Sequence, residues 1–173
     1  MSAKLYLMLG YPGAGKTTTA HILSELTGAV RLSSDDFRFA MFPQPTFSND
    51  EHATLYRTLD FVTEMLLANG VSVIYDANLN RYQHRAEKYA ICSRTGAEAI
   101  VLWLQTDRGL AKQRAIHENR AHFAPKDETL DTMFERITGV FEKPHPDEPV
   151  LVVNGQDVTP NLLQQLLAQN NLV

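Results

Sequence analysis

The sequence has a single cysteine, Cys92, and no unbroken apolar segment near the ~20 residues that a membrane-spanning helix needs. One cysteine excludes an intrachain disulfide and suits a reducing compartment. Cys92 falls inside a predicted helix, where it reads as a small buried hydrophobe rather than a nucleophile. The N-terminus lacks the apolar core of a signal peptide, so the expected setting is the cytoplasm, with no membrane partner. Positive charge is also short. Sixteen Lys and Arg stand against twenty Asp and Glu, a net charge of -4. That balance supplies none of the broad basic surface wanted for a nucleic-acid backbone, so such a substrate is disfavoured, though not forbidden. Metal-cluster spacings, low-complexity tracts and internal repeats are all missing. What remains, 173 residues at 44% hydrophobic and 21% charged, fits one globular domain spanning 1–173, working as a monomer or weak dimer.

Against this plain background one stretch stands out. Gly10-Tyr11-Pro12-Gly13-Ala14-Gly15-Lys16-Thr17 is a complete G-x-x-x-x-G-K-[ST] phosphate-binding loop. It follows the apolar run Leu5 to Leu9 and opens a predicted helix, Thr17 to Leu26, the strand–loop–helix context that the motif requires. Its glycines let backbone N–H groups turn inward around a phosphate chain, and the helix N-terminus adds a favourable field. ATP is the expected nucleotide, held by Gly10, Pro12, Gly13, Ala14, Gly15, Lys16, Thr17 and Thr18. Lys16 reaches the β- and γ-phosphates, and the Thr17 hydroxyl sits on Mg²⁺.

Short strands then alternate with helices. Ala29–Ser33, Val71–Tyr75, Ala97–Leu104 and Pro149–Val153 read as strands. Helical periodicity covers Phe47 to Gly70, Arg81–Arg94, Asp107–Arg120, Thr129–Phe141 and Thr159–Ala168. Ser34-Asp35-Asp36 leads into a segment carrying Pro43 and Pro45, too interrupted for one helix. This alternation, without hairpin signals, predicts an α/β fold with a mainly parallel sheet, whose strand ends gather the polar residues along one edge.

Three groups past those strand ends carry the chemistry. In Ser34-Asp35-Asp36-Phe37-Arg38 one carboxylate could deprotonate or orient an acceptor hydroxyl while its neighbour caps a helix. Asp35 and Asp36 point different ways in any regular structure, and Arg38, three residues beyond Asp35, shares its face; Asp35 is the expected base. Asp76, ending a buried strand, is placed to hold Mg²⁺ through water or to orient Thr17. Asn78 and Asn80 fit a substrate contact or an Asx-turn. Lys112, Arg114, Arg120 and Lys126 form a basic set beside a Pro-containing loop, a credible lid over about 114–128. His117, His122 and the His84-Arg85 pair are candidates for substrate contact and lack metal-ligand logic.

Gly10 to Thr18, Ser34-Asp35-Asp36-Phe37-Arg38 and Asp76-Ala77-Asn78-Leu79-Asn80, in that order, resemble the 5′-hydroxyl kinase domain of phage polynucleotide kinase. They are also similar to small bacterial P-loop kinases of the zeta-toxin-like kind. The resemblance implies a P-loop NTPase three-layer fold with an adenylate-kinase-like sheet in the order 2-3-1-4-5 and a small lid. It implies that Asp35 is the general base, Arg38 an arginine assisting at the acceptor and phosphate, and Asp76 the aspartate at the floor of the site. Arg114 and Arg120 fall at the lid arginines, with Arg120, nearest the loop, the closing cation. Phe141-Glu142-Lys143-Pro144 resembles a stretch that docks against the core or nucleotide. The expected activity is ATP- and Mg²⁺-dependent phosphoryl transfer to a hydroxyl of a small molecule. A polynucleotide 5′-hydroxyl acceptor, or a P-loop ATPase or regulatory module without kinase activity, are the alternatives.

Overall fold

The computed structural model describes residues 2–117 and 128–172. Five parallel strands form the centre: β1 (Lys4–Leu9), β2 (Val30–Ser33), β3 (Val73–Asp76), β4 (Glu98–Gln105) and β5 (Val150–Asn154), in the order β2-β3-β1-β4-β5. The helices are α1 (Lys16–Thr27), α2 (Ser34–Met41), α3 (Asn49–Ala68), α4 (Tyr82–Thr95), α5 (Arg108–His117), α6 (Leu130–Gly139) and α7 (Pro160–Gln169). The parallel direction is that expected from the alternation of strands and helices, and the strand order is that implied by the resemblance.

The period of two along each strand builds two apolar layers. Leu5, Leu7 and Leu9 of β1 join Val73, Tyr75 and Val101 against Leu55 and Leu59 of α3 and Ile91 of α4. Tyr6 and Met8 point the other way, joining Ile74, Leu102 and Leu151 against Leu23 of α1 and Leu163 and Leu167 of α7. Each fully buried leucine contributes roughly 1.5–3 kcal/mol. Cys92 is buried and unpaired in the first layer, and burial pushes its thiol up to about 11, as suits a small core residue.

Several boundaries shift by a residue or two from the sequence reading, and two of the differences have a clear cause. The third strand starts at Val73, because Val71 is spent on ending α3: its N–H donates to the Leu66 carbonyl at 3.0 Å while Gly70 turns left-handed (φ 76°). At the other site, Ser34, Asp35 and Asp36 all lie inside α2, whose cap is Ser33; its hydroxyl accepts from the Asp36 N–H. Neither aspartate therefore serves as the cap. Among the described residues, no helix is long and apolar enough to cross a membrane.

Parallel strands deliver their C-terminal ends to one edge. The register pairs Ser33 with Asp76, so the two acidic segments leave the sheet side by side. β1, paired with β3 on one side and β4 on the other, brings the phosphate loop between them.

Candidate active site

A cavity of about 190 Å³ opens at this edge. Its walls include Lys16, Thr17 and Thr18 from the loop, Ser34 and Asp35 from α2, and Asp76, Asn78 and Asn80 from the end of β3. Three segments that the sequence separates thus meet in one cleft. Ala115 of α5 and Met133 and Ile137 of α6 add an apolar wall that the sequence reading did not foresee.

The loop is folded for an anion. Gly13 has φ 76°, and a Cβ there would lie 2.1 Å from the Ala111 carbonyl oxygen, so only glycine lets α5 pack this closely. Gly15, at φ 97°, starts α1 with no side-chain cap on the helix N-terminus. The Lys16 ammonium donates to the carbonyls of Gly10 and Tyr11, both at 2.8 Å, and so lies across the loop. Gly10, Pro12, Gly13, Gly15 and Lys16 to Thr18 line the cavity; Ala14 does not, its side chain being fully buried in the sheet layer. Tyr11 anchors the loop from outside, its ring 4.9 Å from Phe141 and 6.4 Å from Phe134. This fixes the Phe141–Pro144 stretch against the core, where the Glu142 N–H also donates to the Asn80 carbonyl.

The two aspartates of α2 divide. Asp35 lines the cavity. Asp36 does not; its carboxylate accepts from Arg31 at 2.9 Å on the exposed side. Arg31 carries no motif in the sequence, yet it controls the floor of the site. Its Nε and Nη2 both donate to one oxygen of Asp76, at 2.9 and 2.7 Å. The Asp76 side chain is only 7% exposed, so this pairing is what keeps a buried carboxylate compatible with the fold.

Arg38 corrects the expectation that it shares the cavity with Asp35. It is not among the cavity-lining residues; its guanidinium is buried against Glu51 of α3, under the Phe47 ring at 4.9 Å. One turn of helix does carry it beyond Asp35, but α3 supplies a buried carboxylate that takes it. Tyr56, also on α3, lies close to Asp35, Ser34 and Asn78. Burial pushes its phenol up to about 12, opposed by a hydrogen bond from the Asn78 backbone, with the charge of Asp35 adding to the rise. Its hydroxyl stays protonated at neutral pH.

The basic set resolves unevenly. Lys112 is tied to Asp131 and Glu135 of α6, both at 2.8 Å, and braces the two helices rather than facing the cavity. Arg114 donates to the carbonyls of Gly155 and Gln156, at 3.1 and 3.3 Å, just past β5. Arg120, His122 and Lys126, with most of the proposed lid, lie outside the described residues.

Of the His84-Arg85 pair, Arg85 is structural. Fully buried, it donates to both oxygens of Glu148 at 2.7 and 2.9 Å and to the Leu79 carbonyl at 2.9 Å. The last bond holds the Asp76–Asn80 loop from behind, while the Asn80 N–H closes an Asx-turn on Asn78 at 3.1 Å. Burial alone would raise the Glu148 carboxyl. Hydrogen bonds from Arg85, Tyr89 and the His145 N–H outweigh it and hold the group down at about 2. A depressed carboxylate stabilises the fold above its ordinary range and loses that contribution as pH falls toward about 2. The melting temperature is therefore expected to decline as pH falls from about 4.5 to about 2, and Glu148→Gln to flatten that decline. Arg85→Ala, which strands Glu148, should cost about 3–5 kcal/mol in denaturant unfolding. A loss under about 1 kcal/mol, the scale of an exposed pair, would contradict this assignment.

A family model described as an AAA domain matches residues 5–144. No curated protein gives a significant match. Among solved structures, the chain is similar to a sugar kinase from Janibacter sp. HTCC2649 (TM-score 0.70, 20% identity, 100% of this chain and 96% of that one). It is also similar to an APS kinase from Mycobacterium tuberculosis (TM-score 0.66, 18% identity, 97% and 96%). A chain of the Pnkp1/Rnl/Hen1 RNA repair complex matches over less of its length (TM-score 0.65, 21% identity, 80% of this chain and 44% of that one). At these identities the likeness shows a shared fold.

Proposed function

The chain belongs to the AAA domain family, and from that premise we propose that it is an ATP- and Mg²⁺-dependent kinase acting on a hydroxyl of a small molecule. The observation that carries this reading is the meeting of Lys16, Thr17, Asp35 and Asp76 in one cavity. A nucleotide switch needs a place for water; this cleft adds a carboxylate opposite the phosphate loop and an apolar wall, which suits an acceptor.

In this mechanism the loop N–H groups and Lys16 hold the β- and γ-phosphates and offset the charge that builds there. Asp35 accepts the proton of the acceptor hydroxyl as that oxygen bonds to the γ-phosphorus and the bond to the β-phosphate oxygen breaks. Thr17 and Asp76 would hold Mg²⁺. Both line the cavity, and an ion there would take its remaining ligands from phosphate and water. Bound there, Mg²⁺ supplies electrostatic stabilisation of the transferring phosphoryl group. Arg114 is held on the Gly155 and Gln156 carbonyls and is not among the cavity-lining residues, so Arg120 is proposed as the closing cation. The single buried Cys92 supports a cytoplasmic setting.

The test follows label from [γ-³³P]ATP into acceptors: nucleosides, sugars, nucleotide sugars, aminoglycosides and a 5′-hydroxyl oligonucleotide. Transfer to a small acceptor is expected, and chelation with EDTA should abolish it. Oligonucleotide turnover that exceeds every small acceptor and falls steeply with salt would favour the polynucleotide alternative. Label appearing only as inorganic phosphate would favour an ATPase.

A further inference from the structure

β2 and α2, the two elements that present Asp35, carry two basic residues between them, Arg31 and Arg38. Both are already matched. Arg31 spends Nε and Nη2 on Asp76 and Nη1 on Asp36. Arg38 is more tightly enclosed. One oxygen of Glu51 takes its guanidinium, and the other accepts from the Thr46 N–H at 2.6 Å and the Thr46 hydroxyl at 2.9 Å. Phe47 covers one face of the guanidinium, and His52 Nδ1 lies 3.4 Å from Nη2. Arg38 and Glu51 are 8% and 6% exposed at the side chain. An anion reaching for Arg38 would have to strip Glu51 of its partner while that carboxylate stays buried, and the same holds for Arg31 and Asp76.

Among the described residues, the polar side chains that line the cavity on this side belong to Ser34, Asn78, Asn80, Asp35 and Asp76, the Asn80 amide also donating to the Ile137 carbonyl at 3.2 Å. Hydroxyls and amides offer both donors and acceptors, and carboxylates accept only. That set satisfies O–H groups and repels anions. Arg81, at the start of α4, is exposed and is not a cavity-lining residue.

Building on the kinase reading above, we infer that the acceptor is an uncharged polyhydroxyl molecule, with no phosphate or carboxylate beside the hydroxyl that reacts. Glu51 is the residue that enforces this, because it occupies the one arginine that α2 could otherwise turn toward an anionic acceptor.

The experiment works with the acceptor still unidentified. A bacterial polar-metabolite extract is split by anion exchange into an unretained and a retained fraction. Each is incubated with the protein, Mg²⁺ and [γ-³³P]ATP, with Lys16→Ala protein as the background. Labelled product above background in the unretained fraction is expected. Label confined to the retained fraction overturns the inference and leaves the kinase reading standing. Label in neither fraction overturns both. A second measurement uses Glu51→Gln, which keeps the side-chain volume and removes the charge that holds Arg38. The share of label in the retained fraction should rise about tenfold or more over wild type, the scale of a newly available charge–charge contact. An unchanged share in folded variant protein overturns the role given to Glu51, and the wild-type fractionation decides the acceptor class even where the variant does not fold.

Discussion

Lys16→Ala is expected to lower phosphoryl transfer by about 10²-fold or more, the usual loss on removing a donor that stabilises transition-state charge, with the fold retained. In the structure the ammonium donates to the loop carbonyls of Gly10 and Tyr11, both at 2.8 Å. Neither bond joins distant elements, and the loop keeps its own turn through the Ala14 N–H to the Tyr11 carbonyl at 3.0 Å and the Thr106 hydroxyl to the Ala14 carbonyl at 3.1 Å. Tyr11 stays pinned by Phe134 and Phe141. The loss should therefore fall on chemistry, with the melting temperature nearly unchanged. The measurement is turnover at saturating ATP beside a thermal melt. Activity within about tenfold of wild type would contradict the role of Lys16 in stabilising that charge.

The second large effect separates two neighbours. Asp35→Asn should reduce turnover by roughly 10²–10⁴, the worth of a positioned proton acceptor, with nucleotide affinity nearly unchanged because the loop is untouched. Asp36→Asn should leave turnover close to wild type. The Asp36 N–H goes to Ser33, and its carboxylate, 70% exposed, pairs with Arg31. An exposed pair of that kind contributes about 1 kcal/mol or less, so a small stability loss is the expected phenotype. Turnover and ATP affinity of both variants, measured at one Mg²⁺ concentration, decide the matter. Greater damage from Asp36→Asn would reverse the assignment, and normal turnover in both would count against proton transfer to this segment altogether.

The division between the two aspartates is legible in the sequence, because adjacent residues of any regular element diverge. The same local geometry puts Arg38 beside Asp35, and there it fails. Helical spacing says where a Cα lies; a guanidinium on a long flexible stem goes where its best partner is. Here that partner is Glu51, at the first turn of α3, a residue whose only sequence signature is a place three beyond the Ser48 cap. Tyr56 is hidden for a related reason. Its phenol sits in a helical stripe of apolar residues, and only packing shows that its hydroxyl end reaches the Asn78 backbone.

By itself the sequence determined what depends on neighbours along the chain. A period of two made the strands and gave each of them two faces. The glycines at 10, 13 and 15 admitted the left-handed backbone of the phosphate loop, and alternation of strand and helix forced a parallel sheet with its polar ends on one edge. Tertiary structure alone decided which charges are already spoken for. Arg38 finds its partner 13 residues away, Arg31 finds Asp76 45 residues away, and Arg114 finds the Gly155 carbonyl 41 residues away. Those distances are closed by sheet register and helix packing. In a dry interior an unmatched charge is so costly that the fold pairs whatever it brings within reach.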